Sequence, residues 1–313
     1  MTSVGLDGLP AIGAAVVTLG VFDGVHLGHR ALVDATRIAA GERDARAVAI
    51  VFTPHPDEVI RPGTTVQRLL PPPETAVRLA AAGLDEVVEL RFDDELRTME
   101  PEAFLAALGP ALDLRGMVMT PESAFGKRRT GTLERVSAIG AAAGFDTIAV
   151  DPVHRAGAPV SSSRIRSALA IGDVVEATAM LGAPPLLRGT VIHGDRRGRE
   201  LGFPTANLAF DYPAALPALG IYVGRVGVEG RGVPVRHPAL VSVGVRPTFH
   251  DDGHVLVEVY LLDWEGDLYD ATMTLELETR LREERRFESV DALVTQMRAD
   301  EREARHHLGL DGG

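Results

Sequence analysis

Residues 14–40 read AAVVTLGVFDGVHLGHRALVDATRIAA. Ala14–Leu19 is an apolar run suited to a buried strand, and beyond His29 the residues Leu32, Ala35 and Ile38 or Ala39 recur at helical spacing. Gly20–His29 must therefore carry the chain out of a strand and into a helix through a tight turn. Gly24 and Gly28 allow the backbone to approach a ligand closely. The first free N–H groups of the helix, together with its dipole, favour an anion there, so the turn is suited to hold phosphate. His26 and His29, three apart at the helix start, fall on roughly one face. A purely structural turn is a competing reading. A metal site is another, but it needs a third ligand in a defined partner segment and none is evident. Neither the GxGxxG dinucleotide spacing nor a GxxxxGKS/T loop occurs.

The alternation continues outward. Strand-like runs at Ala47–Phe52, Asp85–Leu90, Gly116–Met119 and Thr147–Val150 are interleaved with helical patterns at His29–Ala40, Glu74–Ala82, Pro101–Leu108 and Thr132–Ala143. This predicts a doubly wound α/β sheet of parallel strands, whose ligands sit beyond the carboxyl ends of the strands. The 20–29 turn, Thr53-Pro54-His55-Pro56 and the loop Thr120–Gly131 all lie at such ends. A serine cluster, Ser161–Ser163, can cap a helix carrying Arg164 and Arg166, and a short helix follows at Val174–Leu181. Gly182-Ala183-Pro184-Pro185 breaks the pattern, which places one domain at 1–183 and a second at 186–313. In the second, runs at Thr190–His193, Ile221–Val228, Ala239–Val243, Val255–Leu262 and Thr272–Glu278 are parted by Gly, Pro and Asp turns. They predict a small antiparallel β-barrel, closed by a C-terminal helix from Ser289 to Leu308.

Length and composition agree with this division. The 313 residues suffice for two domains with their own cores, and 45% apolar with 24% charged residues is a globular composition. The absence of cysteine excludes disulfides and thiolate metal sites. With no basic-then-apolar leader and no apolar run near the roughly 20 residues of a membrane helix, the expected location is the cytoplasm. A net charge of −12 argues against nucleic-acid and anionic-membrane partners. Basic clusters at Lys127-Arg128-Arg129 and Arg196-Arg197-Gly198-Arg199 read as solvated loops, yet Lys127 stands out as the chain's single lysine. The oligomeric state is not legible.

A second candidate site lies in the barrel half. Glycines recur at 189, 194, 198 and 202 before Pro204-Thr205-Ala206-Asn207. Such a loop can arch over phosphates while a hydroxyl and an amide oxygen, both hard ligands, serve Mg2+; a long hairpin with turn glycines is the alternative. Strand alternation puts Leu256, Glu258, Tyr260 and Leu262 on one face of 255–262. A carboxylate among apolar neighbours suits a general base, although a solvated barrel exterior would also accept it.

Taken together, the motifs resemble a known family. Phe22-Asp23-Gly24-Val25-His26-Leu27-Gly28-His29 is similar to the HxGH signature of nucleotidyltransferases. With Phe52–Pro56 and Ser161–Arg166 in order, it resembles the FMN adenylyltransferase domain of bacterial bifunctional riboflavin kinase/FAD synthetases. Residues 194–208, 243–249, 257–263 and 281–289 resemble the riboflavin kinase domain. The resemblance implies ATP and Mg2+ at both sites, with riboflavin, FMN and FAD as substrates and products. It assigns the triphosphate to His26 and His29, nucleotide binding to Gly20, Phe22, Asp23, Gly24, Gly28 and Lys127, and phosphate or adenine to Ser161, Ser162, Ser163 and Arg164. In the kinase half it implies Gly194, Gly198 and Gly202 around the phosphates, Thr205 and Asn207 on Mg·ATP, Glu258 as base and Arg282 near the flavin. One segment departs: Thr120-Pro121-Glu122-Ser123-Ala124-Phe125-Gly126 stands where the family pattern is roughly Gly-x-Asn/Asp-Phe-x-Phe-Gly. A riboflavin kinase with an altered transferase domain and a non-catalytic flavin- or nucleotide-binding regulator are the competing readings.

Overall fold

The computed structural model describes residues 3–194, 201–245 and 255–310. They form two compact units, Met1–Val66 with Pro72–Ser162, and Gln67–Pro71 with Ser163–Gly313. The first is built on five parallel strands: β1 (Gly13–Gly20), β2 (Arg46–Thr53), β3 (Glu86–Arg91), β4 (Leu112–Met119) and β5 (Asp146–Ala149). Their spatial order is β3-β2-β1-β4-β5, so β1 is central and its carboxyl end opens where the order reverses. Burial on both faces explains the unbroken apolar runs: Ala15, Val16 and Val17 are fully buried, as are Val48 and Ala49 of β2. Helix α1 (Leu27–Glu42) buries Leu32, Val33, Thr36, Ala39 and Ala40. Of the two alternatives at its end, Ala39 therefore faces the core and Ile38, 64% accessible, faces solvent.

Helices Ser162–Ala170 (α2) and Val174–Leu181 (α3) go with the barrel, so the compact units divide at Ser162/Ser163, ahead of the Gly-Ala-Pro-Pro break. The physical reason is contact: Val174 joins the barrel's core cluster, and the Arg280 guanidinium donates to the carbonyls of Ile171 and Leu219 at 3.4 and 2.6 Å.

The second unit is a closed antiparallel barrel of β6 (Leu186–Ile192), β7 (Ala206–Ala209), β8 (Gly220–Val228), β9 (His237–Val245), β10 (Val255–Leu261) and β11 (Thr272–Glu283). The order around it is β6-β7-β10-β9-β8-β11. Strand β7 was not expected, because four residues containing Asn behind a proline give no strand pattern; it exists because it pairs with both β6 and β10. Strand β11 also runs past the expected Glu278 to Glu283, held by β8 across two register shifts. Val257, Val259 and Leu261 fill the interior with Val241, Val243, Met273 and Leu275. The alternate residues Leu256, Glu258 and Tyr260 consequently stand on the outer face. Helix α4 (Val290–His307), capped by the Ser289 hydroxyl accepting from the Ala292 N–H, seals part of that face through Ala304 and Leu308 against Val223, Leu240 and Leu262.

Candidate functional site

At the carboxyl end of β1 the chain takes left-handed conformations at Phe22, Gly24 and Val25. Such backbone is costly for Phe and for β-branched Val, and both side chains are buried at 1% and 3% accessibility, which holds it in place. The turn aims His26 at the start of α1, where its Nδ1 accepts from the backbone N–H of His29 at 3.3 Å. Accepting there puts the proton of neutral His26 on Nε2. The two imidazoles stack, 3.6 Å between centroids and 15° between planes, and Phe22 lies 5.1 Å from His29. Gly28 packs closely against them: a Cβ there would come within 3.2 Å of the His26 ring, which would have to shift. Burial, then the adjacent His26, hold His29 well below the ordinary imidazole range, and its buried Nδ1 bonds nothing. The Asp23 carbonyl accepts from the Ser162 hydroxyl at 2.9 Å, which joins the serine cluster to the turn. Ser163 and Arg164 fall in the second unit, where Arg164 lies 3.7 Å from Glu176.

In the barrel unit, a cavity of about 450 Å³ opens on the outer face between β7, β10 and β9 and the first half of α4. It brings together Thr205, Asn207, Glu258 and Arg282 from three separate strands or loops. Glu258 faces Asn207 across β7 and Ser242 across β9 in register. The Thr205 hydroxyl reaches Glu258 Oε1 at 3.5 Å. Asn207 is 5% accessible and its buried Oδ1 has no hydrogen-bond partner. An orphaned amide oxygen beside a threonine hydroxyl is a fitting pair of hard donors for Mg2+, a cation that takes few protein ligands and completes its shell with phosphate and water. The described residues contain no group of three or more His, Cys, Asp or Glu able to hold a metal. Gly202 takes the left-handed conformation that favours glycine. Gly198 and the Arg196–Arg199 cluster lie outside the described residues.

Comparison with known proteins matches the two halves separately. Residues 10–164 match the FAD synthetase family and residues 181–308 the riboflavin kinase family. Bifunctional riboflavin kinase/FMN adenylyltransferases are 36% identical in Pseudomonas fluorescens, over 93% of this chain and 92% of the relative, and 33% in Listeria monocytogenes, over 93% and 91%. The chain belongs to the bifunctional riboflavin kinase/FMN adenylyltransferase family. A crystal structure described as a macrolide-efflux protein from Streptococcus pneumoniae superposes with a TM-score of 0.88 at 32% identity, covering 97% of this chain and 99% of that one. Among the described residues, no helix here is long and apolar enough to cross a membrane.

Within this family frame, the departing segment opens with a tight turn and then pairs Ala124 and Phe125 with Thr132 and Gly131. The Ser123 N–H donates to the Thr120 carbonyl at 3.0 Å, and the two hydroxyls are 2.8 Å apart. Pro121 and Glu122 are exposed. Lys127 begins a short 3-10 turn, and its Nζ pairs with Glu100 at 3.0 Å with both side chains nearly half exposed.

Reading the second site from sequence missed Ser242, Phe287 and Asp300. Asp300 had a signal: it interrupts an apolar helical stripe of Leu293, Met297, Ala304 and Leu308.

Two expected results follow directly from this geometry. A Cβ at Gly194 would sit 2.1 Å from the Asn207 amide, so Gly194→Ala must displace it. FMN formation should fall on the order of 10- to 100-fold while FAD formation from supplied FMN persists, measured by chromatographic assay of each step. The second concerns acid. With His29 neutral in the fold and protonated in the unfolded chain, the unfolded state binds more protons, so stability falls as pH drops below about 6.5. Urea midpoints between pH 7.5 and 5.5 should fall more steeply for the unaltered protein than for His29→Gln.

Proposed function

We propose that the barrel cavity phosphorylates riboflavin and that the 20–29 turn adenylylates the FMN produced. The carrying observation is the convergence of Glu258, Thr205 and Asn207 in one cavity. At this site the terminal ribityl hydroxyl attacks the γ-phosphorus of ATP, its proton passes to Glu258, and the bond to the β,γ-bridging oxygen breaks to release ADP. Thr205 and Asn207 would hold Mg2+, which when bound supplies charge neutralisation to the phosphates. Gly194, Gly198 and Gly202 let the loop backbone approach those phosphates, and Arg282 with α4 covers the flavin.

At the first site an FMN phosphate oxygen attacks the α-phosphorus of the second ATP, and the α–β bridging bond breaks to release pyrophosphate. No protein nucleophile is needed, so the work is positioning and stabilisation of developing charge. His26 and neutral His29 offer N–H donors to the triphosphate, with Gly20, Phe22, Asp23, Gly24 and Gly28 shaping the turn around it. Lys127, Ser161, Ser162, Ser163 and Arg164 bind the remaining phosphate and adenine groups. The functional division is 1–183 and 186–313, and the proposed location is the cytoplasm, which a chain without cysteine fits. The test is incubation with riboflavin, ATP and Mg2+: FMN should appear first, then FAD with stoichiometric pyrophosphate. FMN without FAD would leave a monofunctional kinase.

A further inference from the structure

Asp300 lies on α4 at 3% accessibility, a carboxylate in an otherwise apolar helix face. Arg282 Nε donates to its Oδ1 at 2.8 Å and Nη2 to its Oδ2 at 2.6 Å, while Gln296 adds a third bond to Oδ1 at 2.8 Å. Arg282 Nη1 donates to the Glu283 carbonyl at 2.9 Å, and the guanidinium carbon lies 5.9 Å from the Phe287 ring centroid. Three of the five guanidinium N–H groups are therefore bonded, leaving one N–H on each terminal nitrogen for a ligand. Arg282, Phe287 and Asp300 all line the cavity that contains Glu258.

Asp300 also marks a change along α4. On its N-terminal side Leu293 and Met297 line the cavity, and on its C-terminal side Ala304 and Leu308 are sealed against the barrel. A buried ion pair adds little stability over an apolar pair of similar volume, but its bidentate geometry fixes orientation. Resting on the kinase reading above, we propose that Asp300 is a positioning residue for the flavin: it acts through Arg282, setting the guanidinium plane and the height of α4 over the cavity. Its effect falls on flavin binding, because it acts through Arg282, the cavity residue that the kinase reading assigns to the flavin.

The test uses the full-length enzyme. Asp300→Asn keeps the size of the side chain and removes its charge, so KM for riboflavin should rise about tenfold while kcat and KM for ATP change less than about threefold. FAD formation from supplied FMN should be unchanged. Because the single variant leaves Arg282 without its counter-charge, which alone can weaken folding, the paired variant Arg282→Met with Asp300→Leu is measured beside it. It should melt close to or above the unaltered protein, as well-packed apolar replacements of buried pairs often do, yet keep the raised KM for riboflavin. A riboflavin KM within about twofold of the unaltered enzyme in either variant overturns the proposal, since the pair would then serve packing alone. Unaltered protein that forms no FMN overturns the kinase reading itself, and this inference with it.

Discussion

Replacing Glu258 by Gln should lower FMN formation by on the order of 10² to 10⁴, the contribution of a positioned general base. The substitution preserves volume and one carbonyl oxygen, so the register with Asn207 and Ser242 and the approach of the Thr205 hydroxyl have no reason to change. What is lost is the ability to take the ribityl proton as the oxygen attacks phosphorus. Steady-state assays should show the loss in kcat, with KM for ATP and riboflavin nearly unchanged, and FAD formation from supplied FMN intact. Full FMN formation by Glu258→Gln would remove this carboxylate from the mechanism.

His29→Ala should have the opposite selectivity: FAD formation falls on the order of 10²- to 10³-fold, as when a charge-stabilising donor is removed, and FMN formation is spared. The variant is informative because His29 Nδ1 bonds nothing in the fold, so truncation strands no buried partner. The backbone N–H of residue 29 can still donate to His26 Nδ1, which preserves the cap of α1. Melting temperature measured alongside should fall only by the loss of the stacked ring, with the fold retained. Equal loss of both activities would show that the two chemistries do not run at separate sites.

Much of this was legible in the chain because the signals are local. The apolar run before Gly20 and the spacing after His29 specify a strand, turn and helix from neighbouring residues alone. Alternation in 255–262 separated Glu258 from Val257 and Val259, and the barrel interior takes that second set. Helix α4 lay within one residue of its expected ends because Ser289 is a cap the eye can find.

The remainder depended on contacts between distant segments. Ala206–Ala209 is a strand only because β6 and β10 supply partners for its backbone groups, and this pairing is what turns Asn207 toward Glu258. The stacking of His26 on His29 follows from a left-handed turn that burial of Phe22 and Val25 sustains, and burial of His29, then the nearby His26, lowers its pKa. Asp300 breaks the apolar stripe of its helix in the sequence, but its partner is decided only where β11 extends to Glu283 and presents Arg282 to it. The sequence by itself determined the two folds, their order and the residue types available for phosphate chemistry, since periodicity, turns and motifs act over a few residues. Tertiary structure alone decided which of those residues share a cavity and how deeply His29 is buried, because burial and cross-strand register are set by residues tens of positions away.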